Sequence, residues 1–147
     1  MNIPEKPLGP DFRDRAKAND VPVARLIGLR PKTLPVDGQR LSWPRDHSTP
    51  NPMGTFHGGI LCDIADAAMG MAFASTLAAH ESFTTVELKI NFFRPVWQAQ
   101  LKAEGTVVQR GRTIGYMECS LTDEENRLVA KAASTCMVLR GQRASGR

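Results

Sequence analysis

Residues 51–79, NPMGTFHGGILCDIADAAMGMAFASTLAA, constrain the fold of this 147-residue chain more than any other stretch. A polar, glycine-rich loop at 51–59 opens directly into an apolar run. From Ile60 to Ala79 the only charged residues are Asp63 and Asp66. Ile60, Ile64, Ala68, Met71 and Ala72 recur at helical spacing, and apolar residues fill much of the remaining circumference. The spacing predicts a long helix buried on nearly all sides. A run of about 20 residues is long enough to cross a bilayer. Two aspartates near its start and four strand-like segments after it argue instead for the central helix of a soluble domain, wrapped by a sheet.

A carboxylate on such a helix needs a reason, because Asp is rarely buried unless paired, hydrogen-bonded or functional. Asp63 lies close enough to the N-terminal end to gain from capping and from the helix dipole. Asp66 lies about two turns in, where that effect has faded. A functional role therefore suits Asp66 better than Asp63.

The strands announce themselves by a change of period. Residues 84–92 alternate, with Val86, Leu88, Ile90 and Phe92 on one face and Thr85, Glu87, Lys89 and Asn91 on the other. Leu101, Ala103, Gly105 and Val107 mark a second strand, and Arg110-Gly111-Arg112 its turn. Residues 113–122 make a third, with Met117, Cys119 and Leu121 on one face. After a turn at 123–126, Leu128, Ala130, Ala132, Ser134, Cys136 and Val138 make the fourth. Tight connections predict an antiparallel meander. Before the helix, 29–36 and 39–43 are short extended runs around Asp37-Gly38, a hairpin signal. Pro31, Pro35 and Pro44 push them towards sheet edges. Two strands, one long helix and four strands predict an α+β hot-dog arrangement, a curved antiparallel sheet of about six strands around a single helix.

Residues 1–20 read as a flexible arm with a short helix at 11–18, and a second helical piece starts at Pro22. Residues 21–140 form the one domain that this length supports, and 141–147 a disordered tail. The composition, 41% hydrophobic and 23% charged, is that of a globular protein. The net charge of +4 sits partly in Arg140, Arg143 and Arg147, without blocks of like charge or interleaved aromatics. Nucleic-acid binding is therefore disfavoured, whereas a small phosphate-bearing anion suits a mildly basic surface. Cys62, Cys119 and Cys136 are odd in number and widely spaced, as expected of buried free thiols in a reducing compartment. The first twenty residues hold no apolar signal segment, so a cytoplasmic protein is expected.

The loop and helix together suggest chemistry. Gly58 and Gly59, at the positive end of the helix dipole, leave backbone N–H groups able to donate to a carbonyl oxygen that becomes an oxyanion. A tight turn and close helix packing explain the same glycines equally well. Asp66 can serve as general base towards water or as nucleophile. Asn51 and His57 offer donors that could orient the attacked group, although for His57 a structural hydrogen bond at the turn is the better reading. Eight residues separate Gly58 from Asp66, about 12 Å along a helix. That is too far for both to act on one carbonyl carbon. If both act, they come from different subunits, and a symmetric dimer would hold two equivalent sites at its interface. No Gly-x-Ser-x-Gly elbow, zinc-type ligand spacing, P-loop or dinucleotide fingerprint occurs.

At these residues the chain resembles the PaaI-type acyl-CoA thioesterases of the hot-dog superfamily, over about residues 22–140. The resemblance is carried by N-P-M-G-T-F-H-G-G followed by I-L-C-D-I-A-D, and by the later T-T-V-E-L-K-I-N-F-F-R-P. It implies Asp66 as base or nucleophile and the Gly58 N–H as the group polarising the thioester carbonyl from a neighbouring subunit. Gly59 would bind substrate beside it. Asn51 would orient the carbonyl or the water, His57 would support the loop, and Thr85 would hold the nucleophilic water. Arg110 and Arg112, with Arg94, would meet the CoA phosphates. The expected partners are an acyl-CoA and further copies of the chain, as a dimer or a dimer of dimers, with no metal or redox cofactor, nucleic acid or membrane. The competing readings are an acyl-CoA binding module without turnover and, less favoured, a hydratase. Against the hydratase, His57 and Asp66 lie nine residues apart on nearly opposite sides of one helix.

Overall fold

The computed structural model describes residues 51–144, the strand backbones at 30–32 and 39–43, and Pro22. The arm, the helix at 11–18, the Asp37-Gly38 turn and residues 44–50 lie outside the described residues, as does all of the second helical piece except Pro22.

The elements run β1 (Arg30–Lys32), β2 (Gln39–Trp43), α1 (Gly58–Ala74), β3 (Ser82–Phe92), β4 (Leu101–Arg110), β5 (Ile114–Thr122) and β6 (Leu128–Leu139). All strand pairs are antiparallel, in the order β1-β2-β4-β5-β6-β3. One helix lies on a curved antiparallel sheet, as the hot-dog expectation required. The meander is only partly present. Strands β4, β5 and β6 follow one another, but β3 pairs with β6 and stands at the edge. The eight residues at 93–100 form a connection long enough to cross from that edge to β4 on the other side of the β4-β5-β6 unit, which a tight turn cannot do.

Alternation along the inner strands follows the sequence. Met117, Cys119 and Leu121 of β5 and Ala130, Ala132, Ser134, Cys136 and Val138 of β6 are buried. They meet Leu61, Ile64, Ala65, Ala68, Met69 and Phe73 of α1. Two glycines bring sheet and helix this close. A Cβ on Gly105 would sit 2.4 Å from the Ala68 carbonyl oxygen, and one on Gly115 would sit 2.1 Å from the Phe73 ring.

The helix departs from expectation in two ways. It ends at Ala74, five residues before position 79, because the Ser75 and Thr76 hydroxyls bond back to the carbonyls of Ala72 and Phe73, each at 2.7 Å. It is also not buried all round. Gly59, Asp63 and Asp66 form an exposed stripe at i, i+4 and i+7, flanked by half-buried Ile60, Cys62, Ala67, Gly70 and Met71. One sheet covers one side of a helix, so an apolar composition does not by itself place apolar residues inside. Cys62 belongs to this open side and is half-buried, unlike Cys119 and Cys136; all three thiols are free.

Strand β3 departs once more. Its pairing slips between Thr85 and Glu87, leaving Val86 as an extra bulged residue with its side chain 58% exposed. The bulge rephases the strand, so Thr85 faces the helix together with Leu88 and Ile90 instead of lying opposite them. Simple alternation had assigned these residues to different faces. At the C-terminus, residues expected as a disordered tail form a 3-10 turn, Gly141–Arg143, followed by buried Ala144.

Candidate active site

Asn51 builds the loop before the helix. Its Oδ1 accepts from the N–H groups of Met53 (2.9 Å) and Thr55 (3.2 Å), and its Nδ2 donates to the Thr55 hydroxyl (2.8 Å). These bonds make a short polar side chain the template for the turn. The Phe56 N–H then bonds the Val96 carbonyl (2.7 Å), tying the loop to the segment after β3.

His57 is the N-cap of α1, with its Nδ1 accepting from the Gly59 N–H at 3.0 Å. The loop-supporting hydrogen bond expected of His57 is present. It has a consequence for the two glycines. The Gly59 N–H is occupied, whereas the Gly58 N–H, at the first position of the helix, has no acceptor among the described residues. The ring of Phe92 covers this end, and a Cβ on Gly58 would sit 3.0 Å from its Cζ. Phe92 is 52% exposed. Strand periodicity marked it as a core position and gave no sign that it would wall the helix N-terminus.

Asp66 stands on the exposed stripe of α1, and the Thr85 hydroxyl donates to its Oδ1 at 3.2 Å. Behind Thr85 lies the buried thiol of Cys136, at 3.8 Å from the hydroxyl oxygen. The structure thus brings Asp66 and Thr85 together. Gly58 and Asp66 belong to the same continuous helix, so the separation of about 12 Å holds.

The three arginines separate. Arg94 is exposed and has no acidic partner among the described residues. It borders a cleft of about 360 Å³ whose lining includes exposed Trp97 and Arg127. The Arg112 side chain is exposed, and its backbone carbonyl accepts from Arg140. Arg110 is held on all sides: it pairs with Glu81 (3.5 Å), donates to the Thr76 hydroxyl (3.2 Å) and the Gly111 carbonyl, and lies over the Phe73 ring at 5.1 Å. Its guanidinium ties the end of α1 to β4, away from Asp66. Sequence reasoning missed the partner, Glu81, because nothing in a post-helix loop singles out one acid.

Glu81 accepts from the Ala78 N–H (2.9 Å) and pairs with Arg140 (2.7 Å) as well as Arg110. The Ala78 N–H, working against partial burial and joined by the two arginines, holds its carboxyl below the usual range. A depressed folded-state pKa means that this stability is present above the unfolded value of about 4.3 and is lost as pH falls through the folded one. Glu81→Gln is expected to lower stability by about 2 kcal/mol at pH 7. Urea midpoints of wild type and variant should converge as pH drops below about 4, and a constant gap would refute this role.

Residues 53–130 match the family model of the thioesterase superfamily. The chain belongs to that superfamily. A protein of Saccharolobus solfataricus that bears an esterase name is 34% identical over 87 residues, covering 59% of this chain and 61% of that one. The medium/long-chain acyl-CoA thioesterase YigI of Escherichia coli is 26% identical over 95 residues, again 61% of its length and 56% of this chain. The crystal structure of a Haemophilus influenzae thioesterase superposes with a TM-score of 0.78 at 23% identity, covering 92% of this chain and 94% of that one. The resemblance to hot-dog thioesterases read from the loop and helix thus holds for family and fold, and the chain's chemistry is that of a thioester hydrolase. Among the described residues no helix is long and apolar enough to cross a membrane, and no cluster of side chains has the makings of a metal site.

Proposed function

We propose that this thioesterase hydrolyses acyl-CoA thioesters at sites shared between two subunits. The carrying observation is a pair of groups set well apart along one helix. The Gly58 N–H has no acceptor among the described residues, and Asp66 is held by Thr85 about 12 Å away. Each is half of a hydrolytic site, and an antiparallel packing of two such helices supplies both halves twice. Two further features support the assembly. Strand β3 has no neighbour on its outer edge among the described residues, although it is eleven residues long. The open side of α1 also presents Ile60, Ala67 and Met71 around the aspartates.

In this reading, Asp66 takes a proton from water as the water attacks the thioester carbon. The resulting oxyanion is held by the Gly58 N–H of the neighbouring subunit, aided by the positive end of its helix. Collapse breaks the C–S bond, and the proton passes from Asp66 to the departing sulfur. The products are a carboxylic acid and CoA thiol. Thr85 occupies Oδ1 and leaves Oδ2 for the water. Asn51 keeps one amide hydrogen beyond its loop bonds with which to orient the carbonyl or water. Arg94, without an acidic partner among the described residues and close in sequence to Phe92, is the better placed arginine for the CoA phosphates, because Arg110 is already engaged.

The test is release of CoA thiol, followed with a thiol reagent over short, branched, aromatic and medium-chain acyl-CoAs. Turnover of at least one ester is expected. Tight binding of CoA esters with no release from any would overturn hydrolysis in favour of a binding module.

A further inference from the structure

Thr85 has one hydroxyl proton, and its direction decides what Asp66 can do. The proton lies on Asp66 Oδ1 only if the hydroxyl's torsion is fixed, because an exposed threonine hydroxyl can also turn to water. The residue directly across the ladder from Thr85 is Cys136. Its sulfur lies 3.8 Å from the Thr85 oxygen, within reach for the larger sulfur atom, and the side chain is only 1% exposed. The two groups have complementary needs. An ionised carboxylate only accepts, so Thr85 must donate to Asp66 and has lone pairs left for a donor behind it. Burial, with a smaller push from the Asp66 charge, raises the Cys136 thiol pKa against the opposing hydrogen bonds with Thr85 and Ser134, so the sulfur keeps its hydrogen. The backbone around this contact is fixed. The Ser134 hydroxyl, itself 1% exposed, donates to the Glu87 carbonyl at 2.9 Å, across the bulge that turns Thr85 to the helix.

We propose that Cys136 is a positioning residue for the reaction at Asp66. Its thiol donates to the Thr85 hydroxyl and thereby keeps the hydroxyl proton on the Asp66 carboxylate. The chain runs in one direction, from S–H to O–H to carboxylate, and each bond polarises the next. Cys136 touches neither substrate nor water. This inference rests on the assignment of Asp66 as the base.

The experiment measures kcat and KM for CoA-thiol release by purified full-length wild type, Cys136→Ala, Cys136→Ser, Thr85→Val and the Cys136→Ala/Thr85→Val double variant. Asp66→Asn serves as the control for the underlying reading. Cys136→Ala should lower kcat about three- to ten-fold with KM unchanged. Cys136→Ser loses the same sulfur but keeps a donor, and should recover much of the rate. In the Thr85→Val background, Cys136→Ala should have no further effect. Equal rates for the alanine and serine variants, or an undiminished effect without the Thr85 hydroxyl, would show a packing role and overturn the proposal. An Asp66→Asn enzyme that turns over normally would instead overturn the base assignment. Melting curves on each variant separate loss of rate from loss of folded protein.

Discussion

Asp66→Asn is expected to reduce thioester hydrolysis by about 10²–10⁴-fold, the usual contribution of a general base, while leaving fold and assembly unchanged. The substitution keeps the shape of the side chain and an oxygen that can still accept from the Thr85 hydroxyl at Oδ1. Asp66 is exposed on α1, so no buried charge is removed and no cavity is left. Only the capacity to take a proton is lost. KM should change little, because the carboxylate contributes to the transition state more than to ground-state binding. Initial rates of CoA release and gel filtration on the same preparations check both halves. A variant with near-normal kcat would remove Asp66 from the chemistry.

The largest expected effect on stability is at Gly105. Strand β4 approaches α1 so closely there that a Cβ would lie 2.4 Å from the Ala68 carbonyl oxygen, 2.6 Å from its carbon and 2.9 Å from the Met69 nitrogen. All three neighbours are backbone atoms of a hydrogen-bonded helix, which cannot yield as a side chain can. Gly105→Ala must therefore push helix and sheet apart, opening contacts among Ala68, Met69 and Ala103, each 0% exposed. The cost is expected to reach about 3 kcal/mol, the upper end for overpacking. Urea denaturation would show it as a lower midpoint at constant slope. An unchanged midpoint would mean that the approach of helix and sheet is looser than described.

How much of this was legible beforehand depended on the range of the interaction concerned. Local patterns carried the strands well. Alternation in β4, β5 and β6 placed Ala103, Met117, Leu121 and Ala132 inside, and the turn at Asp123 formed where expected. There the carboxylate accepts from the N–H groups of Glu125 (3.1 Å) and Arg127 (2.8 Å). The order of strands was less accessible. A meander and a crossover differ in long-range pairing, and nothing local in 93–100 reports which edge the chain reaches. The bulge at Val86 was also invisible, since one extra residue inverts the apparent face of everything before it. That explains why Thr85 entered the site through family resemblance and not through periodicity. The helix misled through composition: an apolar stretch looked enclosed, but its open side carries Asp63 and Asp66. Within the loop, chemistry was read at the level of types. Only coordinates showed that His57 occupies the Gly59 N–H and leaves the Gly58 N–H without an acceptor among the described residues.

The shared site is the central claim, and mixed oligomers test it most directly. Gly58→Pro removes the proposed donor at a helix position where proline is well tolerated; its nearest neighbour is the end of the Phe92 side chain, which can shift. Alone, Gly58→Pro and Asp66→Asn should each be nearly inactive. Co-expressed with two different tags in equal amounts, half of the dimers are mixed. Each mixed dimer holds one site with both defects and one with neither. CoA release should then recover to about a quarter of the wild-type rate. Verified mixed dimers that remain as inactive as their parents would contradict the account, because Gly58 and Asp66 would then not meet across a subunit interface.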